Sequence, residues 1–422
     1  ALHQTPKAIE ELAELIKQKT GGNPFFINEF LKTLYSENLL NFDLKQQRWV
    51  WSLTKIKVQA ITNNVVELML GKMKRLPAET QAIMQLAACV GSRFDLEMLA
   101  LIQPSSLECV NQILWPAVQE GLILQEGGGW QLGGAVMPQE GGTYRSSISP
   151  HCKFLHDRML EAAYGSLSDE KRQSTHLKIG RLLRDAMLGE QQPSEYSLPT
   201  TMLFSVLGQL NHASILITQV DERLQLASLN FQAAERAKLS GVWALAVTYA
   251  AQGMTLLPDD AWKSQYALCY QLHLLRIECE SLNSNLALAN QLSETVLKQV
   301  GSKFEKATIC LLQLKMNVGG KRLNWALGRG MQGLRYCGID VPEIAQINQD
   351  LVNSLETELN KKLQLIDLKS LISCSNKKIP EELELTCSLF VRINAYSQIA
   401  GLANLYRYSN YRAMDLVLGS YV

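Results

Sequence analysis

The sequence predicts a mainly α-helical protein with one small β-wing in its first half and helical repeats in its second. Three observations lead there. Apolar residues recur at helical spacing through most of the 422 residues, with few alternating runs. From Thr62 to about Tyr164, helical segments are followed by two short extended pieces, the order of a winged helix. Beyond Ser168 amphipathic helices come in pairs, and three of them place a small Ala ten positions before a bulky residue: Ala246 to Leu256, Ala287 to Leu297, and Ala326 to Tyr336.

Taken in order, residues 8–20 read as one amphipathic helix stopped by Gly21-Gly22. Asn23-Pro24 restarts a second helix running to about Leu40, with Phe25, Phe26, Phe30, Leu31 and Leu34 on its apolar side. Asn41-Phe42-Asp43 and residues 48–53 then read as a short strand or an ordered loop. Asn63–Arg75 is helical, and Pro77 opens another helix through Val90, ended by Gly91. Two more span Asp95–Ile102 and Leu107–Glu120. Extended pieces follow at Ile123–Gln125 with Trp130-Gln131-Leu132, and at Lys153-Phe154-Leu155, around a glycine-rich insert over 127–150. Helices close the region at Arg158–Leu167 and Thr175–Met187, before a linker at Glu190–Pro199. The Ala-to-Ala steps of 41 and 39 residues suggest a degenerate tetratricopeptide-like (TPR-like) α-solenoid, with an irregular helical bundle as the alternative.

Composition removes whole classes. With 41 Lys+Arg against 40 Asp+Glu, the net charge of +1 argues against a binder that relies on a large basic surface, so no nucleic-acid partner is expected. No apolar run approaches the ~18–20 residues of a membrane helix, and the chain is expected to be soluble and away from the membrane. The nine cysteines include no C-x-x-C pair, which fits free thiols packed as small hydrophobes in a reducing cytoplasm. His151, Cys152 and His156 lack a fourth ligand, so no metal site is expected. The first residue is Ala rather than Met, and the chain is expected to be part of something longer.

No G-x-x-x-x-G-K-[ST] is present, so this chain lacks the loop whose amides cradle phosphates. His156-Asp157-Arg158 has the letters of a kinase catalytic loop in the wrong order, and no D-F-G follows. No nucleophile–base signature stands out either, and no catalytic residue is expected within these residues.

Two segments carry a resemblance. The first is Lys19-Thr20-Gly21-Gly22-Asn23-Pro24-Phe25-Phe26-Ile27-Asn28-Glu29-Phe30-Leu31. The second runs Phe154-Leu155-His156-Asp157-Arg158-Met159-Leu160-Glu161-Ala162-Ala163-Tyr164 and is followed by His176-Leu177-Lys178-Ile179-Gly180-Arg181-Leu182-Leu183. Each resembles the downstream half of the signal-transduction ATPases with numerous domains, the STAND branch of the AAA+ fold. The match extends to Trp49-Val50-Trp51, Asn64–Met69, Leu76-Pro77, Leu114–Ala117, Gln209–Leu229 and Gly333–Pro342, and looks closest to the multi-sensor signalling kinases typical of cyanobacteria. The resemblance implies AAA+ lid helices over 1–60, a winged-helix domain over 61–168, a connecting helix and linker over 169–200, and TPR-like repeats over 201–422. It also implies a Ser/Thr kinase domain and an ATPase core upstream, and a GAF sensor and histidine kinase downstream, as partners in one polypeptide.

For the site, the resemblance implies that Asn23 and Pro24 border bound ATP or ADP, with Pro24 against the adenine. His156 would donate a hydrogen bond to the β-phosphate of ADP, with Mg2+ present in the longer protein. Without the resemblance, Gly22-Asn23-Pro24 is a helix stop and restart, and His156-Asp157 a helix start capped by Asp157. Two rival functions remain. One is a DNA-binding regulator, against which Leu107–Glu120 carries Glu108 and Glu120 but no Lys or Arg. The other is a helical scaffold that uses no nucleotide, its repeats offering a surface to a protein partner.

Overall fold

A computed structural model describes residues 6–22, 24–44, 47–58, 71–126, 151–189, 200–318, 322–365 and 380–421. Among the described residues the protein is mainly α, 77% helix and 6% strand, and the chain falls into two compact units, 1–216 and 217–422. Among the described residues no helix is long and apolar enough to cross a membrane. The expected wing tip, the linker at 190–199 and all but the helical end (71–75) of the helix expected over 63–75 lie outside the described residues.

The first unit opens with α1 (Pro6–Thr20) and α2 (Pro24–Ser36), then a hairpin of β1 (Leu40–Asp43) and β2 (Arg48–Trp51), then α3 (Leu53–Val58). Gly21 and Gly22 take φ of 62° and 78°, which ends α1 by steering the chain through the left-handed region. The end of α2 differs from expectation. It stops at Ser36 rather than near Leu40 because Asn38 sits at φ 56° and the Leu39 N–H donates to the Leu34 carbonyl at 2.9 Å. That bond is a Schellman closure, and buried Leu34 and Leu39 supply its usual apolar contact. The freed residues pair Leu40 with Trp51 and Phe42 with Trp49, over a small core of Leu12, Ile16, Phe30, Leu34 and Ile56.

A larger core follows. It gathers α4 (Ala78–Val90), β3 (Arg93–Asp95), α5 (Leu96–Ile102), α6 (Leu107–Gln119), β4 (Ile123–Glu126), β5 (His151–Phe154), α7 (Asp157–Gly165) and α8 (Asp169–Gly189). The sheet is antiparallel in the order β3-β5-β4, with Phe94 opposite Cys152 and Ile123 opposite Phe154. β3 is a strand that periodicity missed, since three residues are too short to show alternation. Pro116 withdraws an N–H from inside α6, and Thr80 of α4 donates to the nearby Ile113 carbonyl at 2.7 Å. α8 begins six residues before the expected Thr175, with Ser168 accepting from the Lys171 N–H at 3.3 Å and Asp169 and Glu170 in its first turn. α9 (Thr200–His212) packs along α8.

The second unit is built of helix pairs: α10 (Val220–Leu239) with α11 (Trp243–Leu256), α13 (Tyr266–Leu282) with α14 (Leu286–Gln299), α15 (Lys303–Met316) with α16 (Leu323–Tyr336), and α18 (Glu381–Ile399) with α19 (Ala403–Tyr421). A short α12 (Ala261–Ser264) precedes α13, and α17 (Gln349–Leu365) packs on α19. Ala246, Ala289 and Ala326 are fully buried on the second helices of three successive pairs. Ala287 is exposed, so the steps become 43 and 37 residues and the middle helix shifts by two from its expected register. Cys89, Cys152, Cys269, Cys279 and Cys310 are buried free thiols, and burial pushes Cys310 up to about 12. Cys374 lies outside the described residues.

Candidate functional site

Of the three residues expected to border a nucleotide, two are placed. Pro24 is the exposed first residue of α2, where its fixed φ suits the opening turn and its missing N–H costs nothing. Asn23 lies outside the described residues. His156 sits at the corner where the chain leaves β5 and enters α7.

The corner explains the geometry of His156. Its backbone is still extended, at φ −148° and ψ 144°, and its side chain caps the helix: Nδ1 accepts from the Arg158 N–H at 3.2 Å. Its carbonyl accepts from the Met159 N–H at 2.9 Å. The cap is therefore His156, and Asp157, expected to cap if the motif were only a helix start, is the first helical residue. An Nδ1 that accepts an amide hydrogen carries none, so neutral His156 holds its proton on Nε2. The ring thus carries its donor on the side away from the backbone.

The structure brings the two sequence motifs together through a residue not expected to take part. The ring of Phe26 lies 4.9 Å from that of His156, with planes inclined by 49°. Phe26 stands two positions into α2, so the contact falls beside Pro24 rather than on it. A cue existed in the Phe25-Phe26 doublet: neighbours on a helix point about 100° apart, so both cannot sit at the centre of one apolar face. Arg75 to Glu37, at 3.6 Å, is a second link between the α1–α3 region and the helices after it.

Other candidates resolve into structure. His151 pairs with Asp95. Cys152, next along β5, is buried on the opposite face from His151, so the two cannot share a metal. Among the described residues no group of three His, Cys, Asp or Glu side chains is placed to hold a metal ion. Lys153 and Arg93 both face Glu126, whose carboxyl is held below its usual range first by the Lys153 hydrogen bond.

A family described as a domain of unknown function (DUF8739) matches residues 7–45, the segment that covers all but the first residue of α1 and the whole of α2 with Phe26. Over 344 residues, 71% of this chain, the sequence is 28% identical to Hybrid signal transduction histidine kinase G of Dictyostelium discoideum. The match covers 10% of that protein, so the chain spans about a tenth of the length of the curated relative it matches. No solved structure matches.

Proposed function

We propose that this chain is a regulatory segment of a STAND-type signalling ATPase, with lid helices over 1–60, a winged helix over 61–168, a connecting segment over 169–200 and TPR-like repeats over 201–422. The similarity to a protein named as a signal-transduction histidine kinase supports a signalling role. The helix–strand–helix–helix–strand–strand order from α4 to β5 supports the winged helix. The observation that carries the switch reading is the contact of Phe26 with His156, which joins two motifs about 130 residues apart.

In this reading ADP is bordered by Asn23 and Pro24, with the rigid proline ring at the start of α2 against the adenine. His156 donates from Nε2 to the β-phosphate, and the tautomer set by the Arg158 amide fits that task. Phe26 holds the imidazole while its cap bond fixes the opposite edge. Mg2+ and the phosphate-binding loop come from other parts of the longer protein. The contact holds the winged helix against the lid only in the closed state, so nucleotide exchange biases a two-state element. Trp243, Leu286 and Trp325, exposed apolar residues at the starts of α11, α14 and α16, support a protein partner on the repeats. α6, in the recognition-helix position, contains Glu108 and no Lys or Arg, which supports sensing over DNA reading.

The test uses the longer protein. His156→Ala should speed ADP release and raise basal kinase output; unchanged ADP retention would remove His156 from the mechanism. This chain alone should show no ATP hydrolysis, and turnover abolished by His156→Ala would contradict that. A salt-dependent gel shift would revive the DNA reading, and a parent without a phosphate loop would favour the nucleotide-independent scaffold.

A further inference from the structure

A cleft of about 610 Å3 opens between α4, α7, α8 and α9, within the size range of small-molecule sites. None of its lining residues is Pro24, Phe26 or His156, so the cleft is a place distinct from the Phe26–His156 corner. Its floor is apolar, formed by Ala88, Val90, Leu160, Ile179 and Leu183. One wall is a hydrogen-bonded chain with a single proton order. Gln209 Nε2 donates to the Cys89 carbonyl at 3.0 Å, which turns its Oε1 toward His176 Nδ1 at 2.6 Å. Nδ1 therefore donates, and Nε2 accepts from the Tyr164 hydroxyl at 3.0 Å. His176 is only 5% exposed, and the exposed ring of His212 stacks on it at 5.0 Å with planes 24° apart. The wall is thus internally satisfied and offers a flat aromatic face rather than open donors.

Charge and space narrow the occupant. Two charged residues line the cleft, Glu161 and Arg93. The Glu161 carboxylate is held by Arg158 at 2.6 Å. Arg93 reaches its partner Glu126 only at 3.5 Å, and Lys153 grips that carboxylate more closely. Arg93 is therefore the lining charge that is least neutralised. Gly208 leaves the α9 wall open: a Cβ built there meets no heavy atom within 4 Å.

We propose that this cleft binds a small, flat, mostly apolar organic monoanion, its ring on His212 and the apolar floor and its charge toward Arg93. The test is fluorescence titration of the full chain with two probes of similar shape, anilinonaphthalene sulfonate and uncharged phenylnaphthylamine. Saturable one-to-one binding of both is expected. Gly208→Leu should abolish it, and Arg93→Gln should weaken the sulfonate roughly tenfold, the scale of a charge-assisted hydrogen bond, and leave the neutral probe unchanged. Circular dichroism checks that Gly208→Leu folds; Ser205→Leu, on the same wall, is the alternative filler. Binding that never saturates, that survives both fillers, or that ignores Arg93→Gln for the sulfonate would overturn the proposal.

Discussion

Phe26 and His156 meet ring to ring, 4.9 Å between centroids, across the gap between α2 and the start of α7. His156 has two separate roles at that corner. Its Nδ1 caps α7 through the Arg158 N–H, and its ring face supplies the contact to Phe26. A motion that carries the β5–α7 corner away from α2 breaks the ring contact and leaves the cap intact. The two roles can therefore be separated by substitution.

His156→Asn keeps a good capping group and deletes the ring, whereas Phe26→Ala deletes only the partner. In a double-mutant cycle read by urea unfolding, the pair should show a coupling of about 0.5–1.5 kcal/mol, the scale of an aromatic contact. His156→Ala should cost a further ~0.5–2 kcal/mol because the cap goes with the ring. Additive effects of Phe26→Ala and His156→Asn would mean that the rings do not support each other.

Acidification should destabilise the fold before its carboxylates titrate. Burial holds His176 below the ordinary imidazole value, helped by His212 and Arg172 and opposed by the hydrogen bond to Gln209. In the second unit burial lowers His273 too, with Arg276 adding to it and the Cys269 carbonyl opposing. An unfolded imidazole titrates near ~6.5, so below that pH the unfolded chain binds more protons than the folded one. Stability is full above ~6.5, falls through that point, and levels off below the folded values. The urea midpoint should drop between about pH 7.5 and about pH 5.5, and His176→Gln should flatten part of that slope. A midpoint that is level or rising across this window in the wild type would show that these imidazoles are not buried neutral.

Much of the fold was legible locally, and the exceptions share a cause. The Gly21-Gly22 stop, the Pro24 restart and the Pro77 start are one-residue signals, and the structure has helix boundaries at each. Asn38 was such a signal too, a left-handed C-cap residue that ends α2 at Ser36. The His156 cap depended on β5 delivering an extended backbone to the corner, which the residues around Asp157 do not reveal. His176 stands in the segment that continues the His156 motif, but its partner Gln209 lies 33 positions away and stacked His212 farther still. No helical or strand period encodes a hydrogen bond across that distance.

Two glycines in α16 should respond to alanine in opposite senses. At Gly330 a Cβ would lie 2.8 Å from Ile393 Cγ1 and 2.9 Å from Leu314 Cδ2, wedged between α15 and α18. Overpacking of this kind costs about 1–3 kcal/mol, more than the ~1 kcal/mol that alanine gains in a helix. At Gly328 a Cβ meets nothing within 4 Å, and only the helix gain remains. Thermal melts should show Gly330→Ala unfolding earlier and Gly328→Ala later than the wild type. Equal shifts in the same direction would mean that α16 does not approach its neighbours this closely.

Three of the helix pairs in the second unit are joined by the same left-handed turn. Between α10 and α11, Gly241 takes φ 75° and the Val242 N–H closes on the Ala237 carbonyl at 2.9 Å. Between α18 and α19, Gly401 takes φ 70° and Leu402 closes on Ser397 at 2.8 Å. Between α13 and α14 the same closure, Asn285 to Glu280 at 2.8 Å, runs through Ser284 at φ 65°, where a Cβ is strained. Ser284→Gly should therefore stabilise the chain by about 1 kcal/mol, the left-handed penalty less the entropy that glycine adds to the unfolded state. Gly241→Ser should lose a similar amount for the same reason. If guanidinium unfolding shows Ser284→Gly neutral or destabilising, the left-handed turn is not the shared joint of these helix pairs.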